Sequence, residues 1–264
     1  MTRVFVYVVA AAGPDPDRIQ CAVPWEVDDQ LIFFGPCKKR LRDLLKRQHF
    51  SAPEDSLVPL EDLYLVGLNP SNANRERAVL WAGRVGRFMT FARAYADLDG
   101  PRFEKMRRHS HSPLHLRPLV RGGELVGYEH VGLEHGDGDA WIDDIVRYRH
   151  SARIRHEGRQ VFVESPWRPA DAFDRDVCFL LDNIAFAKGQ AGPAPRIDET
   201  AVDIFRRAQP DRTGIDPYAV FGYRKDGSVD GRTGSYLEVS GNLGNELIEW
   251  VFRRAQDVGK GRHT

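Results

Sequence analysis

The chain has 264 residues, 42% hydrophobic and 29% charged, with Lys+Arg and Asp+Glu both at 38. That composition supplies a core to bury, so disorder is not the default expectation. Zero net charge excludes a protein whose whole surface coats nucleic acid, since that needs a broad positive potential, but it leaves local basic patches open.

The first element comes at once. Val4-Phe5-Val6-Tyr7-Val8-Val9 is β-branched and aromatic, as a strand buried on both faces should be. Arg3, this run and Ala10/Ala12 imitate a secretion signal, but the segment is too short for one, so a first strand is expected. Further strands are expected at Leu31–Phe34, Leu63–Leu68, Ala78–Val85, Gln160–Val163 and Val177–Leu181, each closed by Gly, Pro, Asn or Asp. Leu116 to Val131 reads as a hairpin about Gly122-Gly123. Two more are expected, at Glu157-Gly158 and Asp226-Gly227. Three helices are expected: Phe91–Leu98 capped by Thr90, Asp198–Ala208 stopped by Pro210, and Leu243–Arg254.

The pattern predicts an α+β protein with a curved, mostly antiparallel sheet or partial barrel and a few peripheral helices. Gly189 to Pro195 is the clearest linker. It divides a domain over 1–188 from a C-terminal helical and hairpin extension over 196–264 packed on it. Cys21, Cys37 and Cys178 form no CxxC pair, which fits reduced thiols in a cytoplasmic protein. No apolar run approaches the length of a membrane span, so no membrane partner is expected.

Chemistry can sit in three places. His109, His111 and His115 precede a stretch rich in carboxylates, among them Asp143 and Asp144. His-x-His on an extended segment turns two imidazoles to one face, which suits a divalent metal. An exposed loop with solvated histidines explains the same residues, and no HExxH motif supports the metal. No cofactor is otherwise indicated. Basic residues gather at Lys38, Lys39, Arg40, Arg42, Lys46 and Arg47, at Arg102, Lys105, Arg107 and Arg108, and on alternate residues from Arg147 to Arg155. These are either solvated faces or phosphate contacts. Asn69 and Asn183 each follow an apolar run, where an amide can read a base edge, and Trp81 offers a ring for stacking. Aromatics at such spacings are more often core. No GxGxxG, Walker loop or GxSxG elbow occurs, and Cys178 sits in an apolar run as a structural thiol would.

Several short segments, taken in order, resemble the nucleotide modification associated domain families, particularly the second of them. They are Tyr7-Val8-Val9, Cys37-Lys38 with Leu41-Arg42, and Asp62 to Gly67. Ala78–Val85 leading to Met89-Thr90-Phe91 and Tyr95 follows, then Arg102-Phe103 with Lys105, and Phe186-Ala187 before Gly189. The resemblance runs from about Val4 to Pro195; the family's Pro-Asn-Pro opening is missing, and the His-rich middle has no counterpart. It implies a role beside enzymes that alter bases in DNA or its precursors, and by fold analogy a PUA-like barrel. The expected function is a module that recognises a nucleotide or modified base. Asn69, Trp81 and Asn183 would line its pocket, and Lys38, Lys39 and Arg84 would meet phosphate. The alternative is a metal-dependent hydrolase or transferase acting on a nucleotide through His109, His111 and His115. A third reading is a protein-interaction domain. The expected partner is a nucleotide or nucleic acid; the sequence fixes neither catalysis nor oligomeric state.

Overall fold

A computed structural model describes residues 1–9, 24–35, 38–50, 55–70, 77–109, 112–131, 153–156, 159–162, 176–185, 194–210 and 236–260. The chain forms two compact units, each discontinuous in sequence. One comprises Met1–Ile32, Pro59–Gly86 and Leu181–Thr264, the other Phe33–Val58 and Arg87–Leu180.

The strands are β1 (Arg3–Val8), β2 (Trp25–Asp28), β3 (Leu31–Phe34), β4 (Ser56–Leu57), β5 (Leu63–Leu68), β6 (Val79–Met89), β7 (Leu116–Arg121), β8 (Glu124–His130), β9 (Arg153–His156), β10 (Arg159–Phe162), β11 (Cys178–Ala185) and β12 (Tyr236–Ser240). The helices are α1 (Lys39–His49), α2 (Phe91–Asp97), α3 (Glu104–Arg107), α4 (Glu199–Arg207) and α5 (Asn242–Lys260). An eight-stranded, mostly antiparallel sheet runs β12-β1-β5-β6-β11-β3-β2, with β4 also paired to β6; it is curved and does not close. Two antiparallel strand pairs, β7–β8 and β9–β10, form separate two-stranded sheets. The fold is therefore α+β, as the strand pattern indicates. No described helix is long and apolar enough to cross a membrane.

In the first unit β1 lies between two partners. It runs parallel to β5 from Arg3↔Leu63 to Val8↔Leu68, and antiparallel to β12 from Arg3↔Ser240 to Tyr7↔Tyr236. Arg3 fixes both registers, with Nη1 donating to Glu61 at 2.9 Å and Nε to Glu238 at 2.7 Å. Side chains alternate across a strand. Val4, Val6 and Val8 accordingly share a core with Val66, Leu68, Leu237 and Val239, completed by Ala201, Ile204 and Phe205 of α4 and Leu247, Ile248 and Val251 of α5. α4 begins at Asp198, whose carboxylate accepts from the Ala201 N–H at 3.1 Å and pairs with Arg254 of α5. Phe5 and Tyr7 are buried too, against Tyr236 and Trp81 respectively.

Gly67 is required where it stands. A Cβ at this position would lie 2.4 Å from the Trp81 indole nitrogen, so the ring rests directly on the Gly67 backbone.

In the second unit α1 carries the first basic cluster of the sequence, which conceals its amphipathic character. Leu41 and Leu45 are buried, while Arg47 is exposed and bonded one turn back to Asp43 at 2.9 Å. Thr90 caps α2, accepting from the Arg93 N–H at 3.2 Å. Gly122 and Gly123 take the positive φ values, 58° and 85°, that a two-residue hairpin turn demands. The expected turn at Glu157-Gly158 lies between the paired strands β9 and β10, but its residues, like Asp226-Gly227, Cys21, Cys37 and Gly189–Pro193, lie outside the described residues.

Gly67→Ala is expected to cost about 1–3 kcal/mol, since the added methyl overpacks a closed contact. Urea unfolding followed by Trp fluorescence measures it, and an unchanged midpoint would contradict the packing described.

Candidate functional site

The two amides singled out in the sequence do not meet. Asn69 is fully buried at the C-terminal end of β5. Its Oδ1 accepts from the Ala78 N–H at 2.6 Å, and its own N–H donates to the Ala78 carbonyl at 3.2 Å. The amide thus closes the β5–β6 connection. Arg77 donates to the Asn69 carbonyl at 3.3 Å, and burial pulls its pKa down to about 10.

Asn183 sits elsewhere along the sheet. β11 does not stop at Leu181 but continues through Asp182 and Asn183 to Ala185, so these polar residues lie inside a strand rather than at its end. Asn183 adopts φ 45°, a left-handed conformation that asparagine tolerates better than most residues. Its side chain hydrogen-bonds Tyr64, near the start of β5. Tyr64 and Asn69 are five residues apart on this strand, roughly 17 Å at 3.3–3.4 Å per residue. Trp81, third of the expected pocket residues, is 1% exposed and packs edge-on against Tyr7 with ring centroids 5.7 Å apart.

What the first unit does assemble is a polar cluster around Arg84. Tyr64 and Arg84 are direct partners across β5 and β6. Arg84 grips Asp182 as a fork, Nε to Oδ1 at 2.8 Å and Nη2 to Oδ2 at 3.1 Å. Three of its five N–H groups lie outside this fork. Asp182 Oδ2 rests on the Gly86 backbone, where a Cβ would come within 2.5 Å. Both partners of the pair are partly open to solvent, with side chains 45% and 40% exposed, and Asn183 is exposed. Tyr64 is half-buried, its ring edge-on to Phe252 of α5 at 6.5 Å. Burial and the nearby Asp62 and Asp182 carboxylates hold the Tyr64 hydroxyl above its ordinary pKa, so it is neutral at physiological pH. The cluster thus sets a fixed cation fork, an amide and a phenol together on a half-exposed sheet face. Tyr64 carried no local sign of this role, because alternation with Val66 and Leu68 marks it only as one more residue of a strand face.

Several basic side chains among the described residues of the second unit are engaged. Arg42 is fully buried; its Nη1 donates to the Val177 carbonyl at 3.0 Å and its guanidinium lies over the Phe91 ring at 5.6 Å. Arg93 pairs with Asp97, Arg108 with Glu104 and Arg117 with Glu129. Lys38 caps α1 at φ 59° and Lys39 opens that helix. Arg153 and Arg155 lie on β9, while Arg147 and Arg149 are outside the described residues. His109 is exposed, at a turn where its N–H donates to the Met106 carbonyl at 3.2 Å. His115 is partly buried in a single 3-10 turn, Pro113–His115; His111, Asp143 and Asp144 lie outside the described residues. Among the described residues no three His, Cys, Asp or Glu side chains are grouped to hold a metal ion.

Buried beneath α2 is a carboxylate that the sequence did not advertise. Asp176 Oδ1 accepts from the Phe91 N–H at 3.0 Å, and its side chain bonds Tyr128, whose hydroxyl accepts from the Ala92 N–H at 3.2 Å. With Thr90 these groups satisfy the first three free N–H groups of the helix. Burial raises the Asp176 pKa, opposed by Lys46, Tyr128, the Phe91 N–H and Arg42. Cys178 is a free, buried thiol whose pKa is pushed well up by the same burial, which leaves it protonated and inert as a nucleophile.

No protein-family model, no curated protein and no solved structure matches this chain.

Asp176→Ala is expected to cost about 1–3 kcal/mol by stranding the Phe91 N–H. Because the folded pKa of Asp176 is raised, its contribution is full below the unfolded carboxylate range and shrinks as pH rises through the folded value. Urea titrations at several pH values check this; a wild-type advantage that grows with pH would contradict it.

Proposed function

We propose that the chain is a recognition module for a nucleotide or a modified base, as the resemblance to the nucleotide modification associated domains implies. The observation that carries the proposal is the cluster on the first unit: the Arg84 fork held by Asp182, beside the Asn183 amide and the Tyr64 phenol. A guanidinium presents parallel N–H donors to a pair of acceptors, and an amide both donates and accepts, the two functions that a base edge requires. The neutral tyrosine adds a partly apolar wall of the sort on which bases stack. Two of the residues expected to contact the ligand, Arg84 and Asn183, belong to this cluster. Asn69 and Trp81 support the sheet that carries it.

Titration calorimetry with nucleosides, nucleotides and short DNA bearing ordinary or modified bases tests the proposal. Binding to the intact chain is expected. Arg84→Ala is expected to weaken it roughly 5- to 150-fold, the range for loss of a bidentate base contact. Asn183→Gly, which keeps the left-handed backbone and removes the amide, should also weaken it. Unaltered affinity in both variants, with unchanged thermal unfolding, would refute the assignment.

A further inference from the structure

Resting on the reading just given, we infer that the Arg84 cluster selects the neutral base of its ligand rather than a phosphate, and that Asp182 is the residue that sets this preference. Two observations carry the inference. Asp182 takes the Nε side of the guanidinium with both oxygens, at 2.8 and 3.1 Å, so the cation arrives at the site already neutralised. A second carboxylate, Asp62, also acts on Arg84 and on Tyr64, so among the described residues of the cluster two anions stand against one cation.

A phosphate approaching this face meets repulsion from both carboxylates, while the attraction of Arg84 is already spent on one of them. A neutral base suffers no such penalty. Acceptor atoms on its edge can take the Arg84 N–H groups that Asp182 leaves, and an exocyclic amine finds acceptors in Asp182 and the Asn183 amide. The Asp182 carboxylate is seated on Gly86, where no side chain intervenes, so the fork is fixed before the ligand arrives. Phosphate sites show the opposite arrangement, with uncompensated arginine or lysine and backbone N–H groups turned to the ligand.

The experiment compares a nucleoside with its own 5′-monophosphate, over the four common bases and a 5-substituted pyrimidine, by calorimetry at low and moderate salt. The wild-type protein should bind the two forms within threefold of each other, with little dependence on salt. Asp182→Asn should shift the ratio tenfold or more toward the monophosphate and introduce a salt dependence, because it frees the Arg84 charge. Wild-type preference for the monophosphate by threefold or more overturns the inference and leaves the recognition proposal standing. An Asp182→Asn ratio equal to that of wild type, in protein with unchanged thermal unfolding, overturns the role of Asp182. Binding of neither form overturns both. Should Asp182→Asn fail to fold, Asp62→Asn supplies a second comparison: it removes the other carboxylate that acts on Arg84 while leaving the fork intact, and its ratio must likewise move toward the monophosphate.

Discussion

An apolar strand that must be covered on both faces governs the first unit. Val4 to Val8 leaves no side of β1 fit for water, so one face needs the helices α4 and α5 and the other needs Tyr236 and Trp81. The covering groups set the rest. Trp81 can rest against β5 because residue 67 is a glycine, and β6 must present the indole at that register. With β5 and β6 so aligned, Tyr64 faces Arg84, and the polar cluster follows from the pairing that buries the core.

Much of this was legible in the sequence, and the pattern of success has a physical cause. β1, the β7–β8 hairpin, α4 and α5 are fixed by local signals: an unbroken apolar run, a Gly-Gly turn, a capping Asp and an apolar stripe. α1 was hidden because Arg42, the most basic-looking part of its cluster, is a core residue stacked on Phe91. β11 ran past its expected end because Asp182 is satisfied by Arg84, 98 positions away, which no local pattern reveals. The candidate site was legible for the same reason only in part: Arg84 and Asn183 have suggestive chemistry, but Tyr64 and Asp182 gain theirs from pairing across strands. Asn69 mimicked a ligand-facing amide while serving the backbone of Ala78.

Charge is balanced locally as well as in total. Arg47, Arg93, Arg108 and Arg117 each have a carboxylate at hand, three of them one helical turn away. Apart from the Arg47 pair, whose Asp43 is buried, such surface pairs add little to stability, but they flatten the electrostatic field of runs that look strongly basic when written as sequence. Arg84 belongs to the same economy of opposite charges, and differs in sharing its surface with a hydrogen-bonding amide and a neutral phenol.

The pairing of β1 also bears on how the chain is made. Its parallel neighbour lies some sixty residues downstream, and Glu238, which Arg3 grips across the other edge, is 235 positions away. At ribosomal rates of about 5–20 residues per second, β1 waits roughly 10–50 s between its own synthesis and that of its last partner. Through that interval a strand of valine and aromatic residues has an unfilled edge and one face without α4 or α5 to cover it. Contacts so distant in sequence also slow the pairing of β1 with β12 once the chain is complete. Until α4, α5 and β12 are made, that edge and face are open to pairing with other apolar segments.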